Sequence, residues 1–383
     1  MTIWDWCAWG LLLLWLRRSA PAWFGLLRPQ HLRSIPPLDA PQPPRISIIV
    51  PARDEILAIE AALRSMLALD YPDLEVVAIN DRSTDGTGEV MDRLAAENPR
   101  LTVVHVRELP AGWLGKNHAM HLGAQAAKGD FLLFTDGDIL YEGSVLRRAM
   151  QLVEDRRLDH LVLLPQVLTE TFGEKLIVNF FSVMLLIASE AAFARFSRMR
   201  GAYLGVGAFN LVRRTTYEQF EGHVPLRMEV ADDMCLGKLM KHAGGRQDVY
   251  LANELLRVKW QHGGLWGIVR GLEKNMFAAM HFSVPRALIG CAALSLIMIV
   301  VPMLAFFPWS PMGLRIIALS NLLLFAVSAY LHGFPVLAGI LYPAGGVVFI
   351  VIVLRSMWVT LRNRGIRWRD TFYPLEELRA GKV

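Results

Sequence analysis

Between Ala287 and Phe307 the chain runs for 21 residues without one charged side chain. At about 1.5 Å of rise per residue, a helix of that length is roughly 30 Å long, the thickness of a bilayer's hydrocarbon core. Two more apolar blocks follow, Ile316–Leu331 and Phe334–Leu354, the last interrupted by Pro335, Pro343 and Gly345-Gly346. A fully soluble protein is excluded, and the interrupted block reads as a broken or re-entrant helix. The chain as a whole is 54% hydrophobic and 20% charged, but residues 44–175 carry charge at ordinary density. The excess therefore belongs to separate membrane segments and not to one greasy core.

The N-terminal stretch IWDWCAWGLLLLWL (3–16) is followed, not preceded, by its arginines. That order argues for an uncleaved anchor over a signal peptide, with Arg17, Arg18, Arg28 and Arg33 on the cytoplasmic side. Pro36–Arg45 holds five prolines and reads as a stiff linker. Leu176–Ser189 is uncharged but only 14 residues long, so an interfacial or buried helix is expected there. The tail bears Arg355, Arg362, Arg364, Arg367 and Arg369, which also points to the cytoplasm. Three blocks between two cytoplasmic parts leave an odd number of crossings, a conflict the sequence does not resolve. The expected organisation is an anchor (1–35), a linker (36–45), an α/β domain with interfacial helices (46–283), transmembrane helices (284–356) and a basic tail (357–383). Cys7, Cys235 and Cys291 lie far apart and build neither a disulfide framework nor a cysteine zinc site. A net charge of +5 is too mild to argue for nucleic acid, and none is expected as a partner.

The α/β reading rests on alternation. ISIIV (46–50), LEVVAI (74–79), LTVVHV (101–106), FLLFT (131–135) and HLVLLP (160–165) are continuous apolar runs of strand length. Helical spacing separates them at Ile56–Leu69, Gly88–Glu97, Gly115–Ala127 and Ser144–Asp155. This predicts a mostly parallel, Rossmann-like sheet covered on both faces. Ligands on such sheets bind at the carboxyl ends of strands.

Acidic residues stand at those ends. Strand one runs into Pro51-Ala52-Arg53-Asp54-Glu55, strand two into Asn80-Asp81-Arg82, and strand four into Asp136-Gly137-Asp138. Asp136 and Asp138, two apart in an extended segment, project the same way. Hard oxygen ligands of that kind suit magnesium or manganese together with a substrate diphosphate. Asp81 is placed to accept hydrogen bonds from a ribose or base. No G-x-G-x-x-G follows strand one and no G-x-x-x-x-G-K-[ST] occurs, so dinucleotide and P-loop chemistry lose their usual support.

The order SIIVPARDE, VVAINDRSTDGT, GWLGKNHAMHLGAQAAKGDFLLFTDGD and VADD resembles the family-2 inverting glycosyltransferases of the GT-A fold over about residues 44–275. The flanking apolar segments resemble the membrane-attached branch acting on hopanoid-, carotenoid- or ceramide-type lipids. The resemblance implies a nucleotide site lined by Pro51, Glu55 and Asp81, with Lys116 approaching the nucleotide or phosphates. It implies Asp136 on the ribose or diphosphate side and Asp138 on the metal. It also implies Asp233 as general base, with Asp232 orienting the base or the acceptor. The expected donor is a nucleotide diphosphate sugar, UDP-linked by preference, and the expected acceptor a lipid of a bacterial-type inner membrane, with the catalytic domain cytoplasmic. A polyprenyl-phosphate acceptor is the nearer alternative; a nucleotide-sugar-binding scaffold or transporter component is the more distant one. The Q-x-x-R-W of processive members is not matched. Lys259-Trp260-Gln261-His262 and Trp266 stand in its place, with Arg270 or Lys274 as substitutes for its diphosphate clamp. His118 and His121 have metal-compatible spacing but no third ligand, and Gly205-Val206-Gly207 reads as a tight turn on the acceptor side.

Overall fold

The computed structural model describes residues 2–196, 199–259 and 263–381. They form two compact units, one of 29–168, 193–196, 199–259 and 380–381, the other of 2–28, 169–192 and 263–379.

The first unit is built on an eight-stranded sheet. Its strands are β1 (Ile46–Ala52), β2 (Leu74–Asp81), β3 (Leu101–Val106), β4 (Phe131–Phe134), β5 (Leu140–Tyr141), β6 (His160–Val167), β7 (Asn210–Arg213) and β8 (Gln247–Val258). Their spatial order is β3-β2-β1-β4-β7-β6-β8-β5. The first four are mutually parallel, as the alternation predicts, and β7 runs antiparallel between β4 and β6. Central strands read as unbroken apolar runs because both faces are covered. Ile46, Ile48 and Val50 point into one core with Ile59, Leu63, Val145 and Met150. Ile49, Val77 and Ile79 point into the other with Ala119, Met120, Leu236 and Met240. Parallel pairing aligns the carboxyl ends of β2, β1 and β4 on one rim. The pairing of Phe134 with Asn210 brings the start of β7 to that rim as well. The proline-rich segment lies along this unit, where Leu38 exchanges hydrogen bonds with Arg147 and Tyr71 donates to the Pro44 carbonyl.

The second unit is helical. Among the described residues four helices are long and apolar enough to cross a membrane: Phe172–Ser189, Val284–Ala305, Met312–Leu331 and Tyr342–Asn363. The first is longer than its uncharged stretch suggests because Thr171 and Glu174 form a capping box that starts the helix earlier. The second contains a wide turn at Leu296–Val300 just before Pro302, which absorbs the hydrogen bond that proline does not make. The third apolar block is broken, as its prolines predict, into Val336–Ile340 and Tyr342–Asn363. Phe180, Phe325, Tyr342 and Met298 meet in the core of this bundle together with Leu12 and Trp15 of the N-terminal helix Ile3–Leu27. A two-stranded hairpin, Gly365–Trp368 with Thr371–Pro374, closes the tail.

Candidate active site

The site is organised by three consecutive residues at the start of the helix Gly115–Ala126. A Cβ on Gly115 would lie 2.3 Å from Asp81 Oδ2, so only glycine lets this helix end approach the carboxyl end of β2. Asn117 is fully buried and donates from Nδ2 to the carbonyls of Leu226 and Glu229. This pins the turn that leads into the helix Asp232–His242. Between them, Lys116 Nζ stands 2.8 Å from Asp136 Oδ1 and 3.6 Å from Asp232 Oδ2. Burial alone would drive the Lys116 ammonium down. Asp136, Asp232 and Asp233 outweigh it and hold the group protonated, above the ordinary lysine range.

Asp81 is 4% exposed, and both its oxygens accept from Arg82, at 2.8 and 3.1 Å. The left-handed backbone at Arg82 (φ 58) folds the guanidinium back onto the preceding residue. A ribose or base reaching Asp81 therefore meets a fixed ion pair and not a lone carboxylate. Pro51 and Glu55 flank the same rim. The Glu55 N–H donates to Thr87 Oγ1 at 2.9 Å. The Pro51 carbonyl would be 3.4 Å from a Cβ on Gly137, an ordinary contact distance, so Asp136-Gly137-Asp138 lies against the end of β1.

The Asp138 carboxyl is pushed above the usual range by burial, then by the negative charges of Asp136 and Glu55. Such crowding calls for a cation. Among the described residues no three His, Cys, Asp or Glu side chains converge as a closed ligand set. The donors present fit an ion that takes one or two carboxylates from protein and the rest from phosphate and water, the habit of magnesium or manganese. His118 and His121 are not part of such a set; their rings pack on Trp113, with centroids 5.6 and 5.0 Å away.

Asp233 opens the helix Asp232–His242. Its Oδ1 accepts from Met234 N–H at 2.7 Å and its Oδ2 from Gly207 N–H at 2.9 Å. Burial and then the neighbouring Asp232 raise its carboxyl above the ordinary range, the direction that suits a base working near neutrality. The Gly207 carbonyl in turn accepts from Asp136 N–H at 2.9 Å. Gly205-Val206-Gly207 is thus a tight turn, but one wedged between Asp136 and Asp233. Its importance was hidden in the sequence, where the only signal was two glycines just before Asn210.

The fold therefore gathers Lys116, Asp136, Asp232 and Asp233, with Glu55 and Asp138 beside them and Asp81 across the N-terminus of the Lys116 helix. Trp260, Gln261 and His262 lie outside the described residues. Trp266 and Arg270 are exposed on the helix Gly264–Ala279 of the helical unit. Lys274 Nζ sits 3.4 Å from the Trp368 ring centroid in that unit.

Comparison with known proteins agrees with this fold. The model described as Glycosyl transferase family 2 matches residues 47–218. That span contains β1 to β7 and the Gly115-Lys116-Asn117, Asp136 and Gly207 elements. The chain carries a family-2 glycosyltransferase domain. Over 116 residues (30% of this chain and 32% of the relative) it is 30% identical to the uncharacterized glycosyltransferase EpsJ of Bacillus subtilis. Over 154 residues (37% and 31%) it is 28% identical to the beta-monoglucosyldiacylglycerol synthase of a Synechocystis strain. The chain thus spans about a third of the length of these relatives. The fold of the glycosyltransferase domain also has a solved counterpart. The mannosyltransferase PcManGT of Pyrobaculum calidifontis, solved with GDP-Man and Mn2+, has a TM-score of 0.54 and 19% identity, covering 92% of this chain and 96% of that one. The sheet unit therefore has the mixed α/β GT-A architecture, and among the described residues the chain also holds four helices long and apolar enough to cross a membrane.

Proposed function

We propose that this chain is a membrane-attached inverting glycosyltransferase that moves one sugar from a nucleotide diphosphate sugar to a hydroxyl or carboxyl group of a lipid. The observation that supports this most directly is the shared position of Lys116 between Asp136, on the strand rim, and Asp232, beside Asp233. The donor side and the acceptor side are thereby joined through one ammonium.

In this reading Asp81 with Arg82, Pro51 and Glu55 hold the nucleoside, and Lys116 orients the diphosphate beside Asp136. Asp138 and Asp136 would hold the divalent cation, which when bound offsets the charge of the diphosphate. Asp233 accepts the proton as the acceptor oxygen attacks the anomeric carbon and the nucleoside diphosphate departs. One displacement with one base inverts the configuration. Gly207 N–H keeps Asp233 aimed, and Asp232 is held by Lys116. The relative that makes beta-monoglucosyldiacylglycerol and the neighbour solved with GDP-Man and Mn2+ support a lipid acceptor, a nucleotide-sugar donor and a metal.

Two relationships in the helical unit support a cytoplasmic domain and tail. Arg379 donates to the Phe282 carbonyl at 2.9 Å, and Arg355 pairs with Glu273 at 2.7 Å. The segments before and after the three C-terminal apolar helices thus adjoin, which calls for an even number of crossings. Tyr342 stacks on Phe325 with centroids 5.0 Å apart, and a Cβ on Gly346 would lie 3.3 Å from that of Met298. Both partners lie inside their own helices, so Val336–Asn363 enters part-way and returns while the other two helices cross. The helix Phe172–Ser189 connects β6 to β7, which are paired in one sheet.

The direct test is mass spectrometry of lipids from cells with and without the gene. A lipid heavier by one hexose or amino-hexose, absent without the gene and absent with Asp233→Asn, is expected. Unchanged lipid profiles would sink the proposal. For the membrane arrangement, cysteines placed at 308 and 333 are expected to react from opposite sides of sealed vesicles, with 333 on the side of the C-terminus. Labelling of both from one side would overturn it.

A further inference from the structure

The turn Leu204–Gly207 is held from behind by a buried polar chain that no step of the proposed reaction uses. Gln247, 1% exposed, accepts from Leu204 N–H at 3.0 Å through Oε1. Of the two Nε2 hydrogens, one goes to Nδ1 of His160 and the other is shared between the Leu204 carbonyl at 3.1 Å and the Gly237 carbonyl at 3.3 Å. Because Nδ1 is then an acceptor, the His160 proton resides on Nε2, which donates to Asn210 Oδ1 at 3.1 Å. Asn210, 2% exposed, donates from Nδ2 to the Val206 carbonyl at 3.0 Å, and Val206 N–H points at its Oδ1. The backbone of Leu204 and Val206 is therefore gripped at both N–H and C=O by two side-chain amides, and those amides are joined through one imidazole.

The grip allows no slack on the other side. A Cβ on Gly205 would fall 1.7 Å from the Asp233 carbonyl oxygen, one on Gly237 2.3 Å from that of Leu204, and one on Gly207 2.3 Å from Asp136 Oδ2. Backbone packs directly on backbone between this turn and the helix that begins with Asp232. Gly207 then donates its N–H to Asp233 Oδ2, and its C=O accepts from Asp136 N–H.

We propose that Asn210 and Gln247, linked by His160, are positioning residues. Through the rigid Leu204–Gly207 backbone they set the spacing between Asp136 and Asp233. The inference deepens the reading above, since those two residues are its donor-side carboxylate and its base. Buried amides that satisfy every partner rigidify a structure. A reacting group displaced by about 1 Å costs on the order of 100-fold in rate.

The test uses the full chain in lipid nanodiscs with Asn210→Asp, which keeps the shape but removes the donor to Val206, and Gln247→Glu, which removes the donors to Leu204 and His160. Amide hydrogen exchange is followed in peptides covering 204–209, 232–236 and 76–81. Faster exchange in the first two together, with 76–81 unchanged, is expected. Faster exchange at 204–209 alone would overturn the coupling, and this readout holds whether or not the chain transfers sugar. Transfer from UDP-glucose or GDP-mannose to vesicle lipid should fall about 100-fold in kcat with the donor KM within about threefold. A loss confined to donor KM, or full kcat in both variants, would also overturn it. Should both variants fail to fold, the uncharged Asn210→Leu and Gln247→Met, which remove the same hydrogen bonds without burying a charge, are read in the same two assays with the same outcomes.

Discussion

Lys116 Nζ lies 2.8 Å from Asp136 Oδ1, and the same ammonium reaches Asp232 at 3.6 Å. Removing it leaves carboxylates facing one another in a half-buried site. Lys116→Met is expected to abolish transfer and to lower the melting temperature. The pair with Asp136 is only half-buried, so solvent screening should hold the cost below the ~3–5 kcal/mol of a fully buried pair. Lys116→Arg should recover stability better than activity, because a planar fork does not occupy the place of a compact ammonium. Calorimetry of the two variants beside transfer assays decides it; equal stability in Lys116→Met would show that the pair is not structural.

Asp233→Asn keeps the size of the side chain and removes its basicity. Transfer should fall by about 10²–10⁴ in kcat while nucleotide-sugar binding, followed by titration calorimetry, stays within about threefold of the parent. Because burial and Asp232 raise the Asp233 carboxyl, the acid limb of the wild-type rate profile should lie above the ordinary carboxylate pKa of about 4. The rate falls as pH falls, since a protonated base accepts nothing. A limb at or below that value would remove Asp233 as the base.

Gly115→Ala probes the nucleotide side. The new Cβ would sit 2.3 Å from Asp81 Oδ2 and 3.0 Å from Arg82 Nη2, and the bidentate pair leaves Asp81 no room to turn away. Donor KM is expected to rise about tenfold, equivalent to roughly 1.4 kcal/mol, with a smaller change in kcat. An unaltered donor KM would mean that Asp81 does not meet the nucleotide.

His160 is buried neutral, its pKa pushed down to about 4 by burial against the opposing hydrogen bond to Asn210. Unfolded, it titrates near 6.5. Its contribution to stability is present above about pH 6.5 and is lost as pH falls toward 4, because the unfolded chain then binds the proton that the native chain refuses. Asp138 and Asp233, both raised, act in the opposite sense. The difference between wild type and His160→Gln therefore isolates the histidine. From pH 7 to pH 5 the melting temperature of the wild type should lose more, or gain less, than that of the variant. Parallel slopes would show that His160 is already charged.

Much of this molecule was readable beforehand, for identifiable reasons. Strands such as Ile46–Ala52 are apolar on both faces because helices cover both, and that leaves a continuous run in the sequence. Asp81 and Asp136 were visible because the carboxyl end of a strand is where such a run stops. The short β5 and β7 left too little pattern to see, and the strand Gln247–Val258 carries polar residues whose partners lie far away in the chain. Asn210 and Gln247 look like ordinary polar residues until the fold sets His160 between them.

Chain order and residue type alone determined the class of sheet, the acidic rim, the glycosyltransferase motifs and the apolar segments of membrane-spanning length, because each is a local pattern of burial or charge. Only the tertiary structure decided that Lys116 serves Asp136 and Asp232 together, that Arg82 occupies Asp81, and that Gly207 ties Asp136 to Asp233. Those relations join residues up to 116 positions apart, from Lys116 to Asp232. Their spacing is set by backbone contacts at Gly115, Gly205 and Gly207 that leave no periodic trace in a sequence.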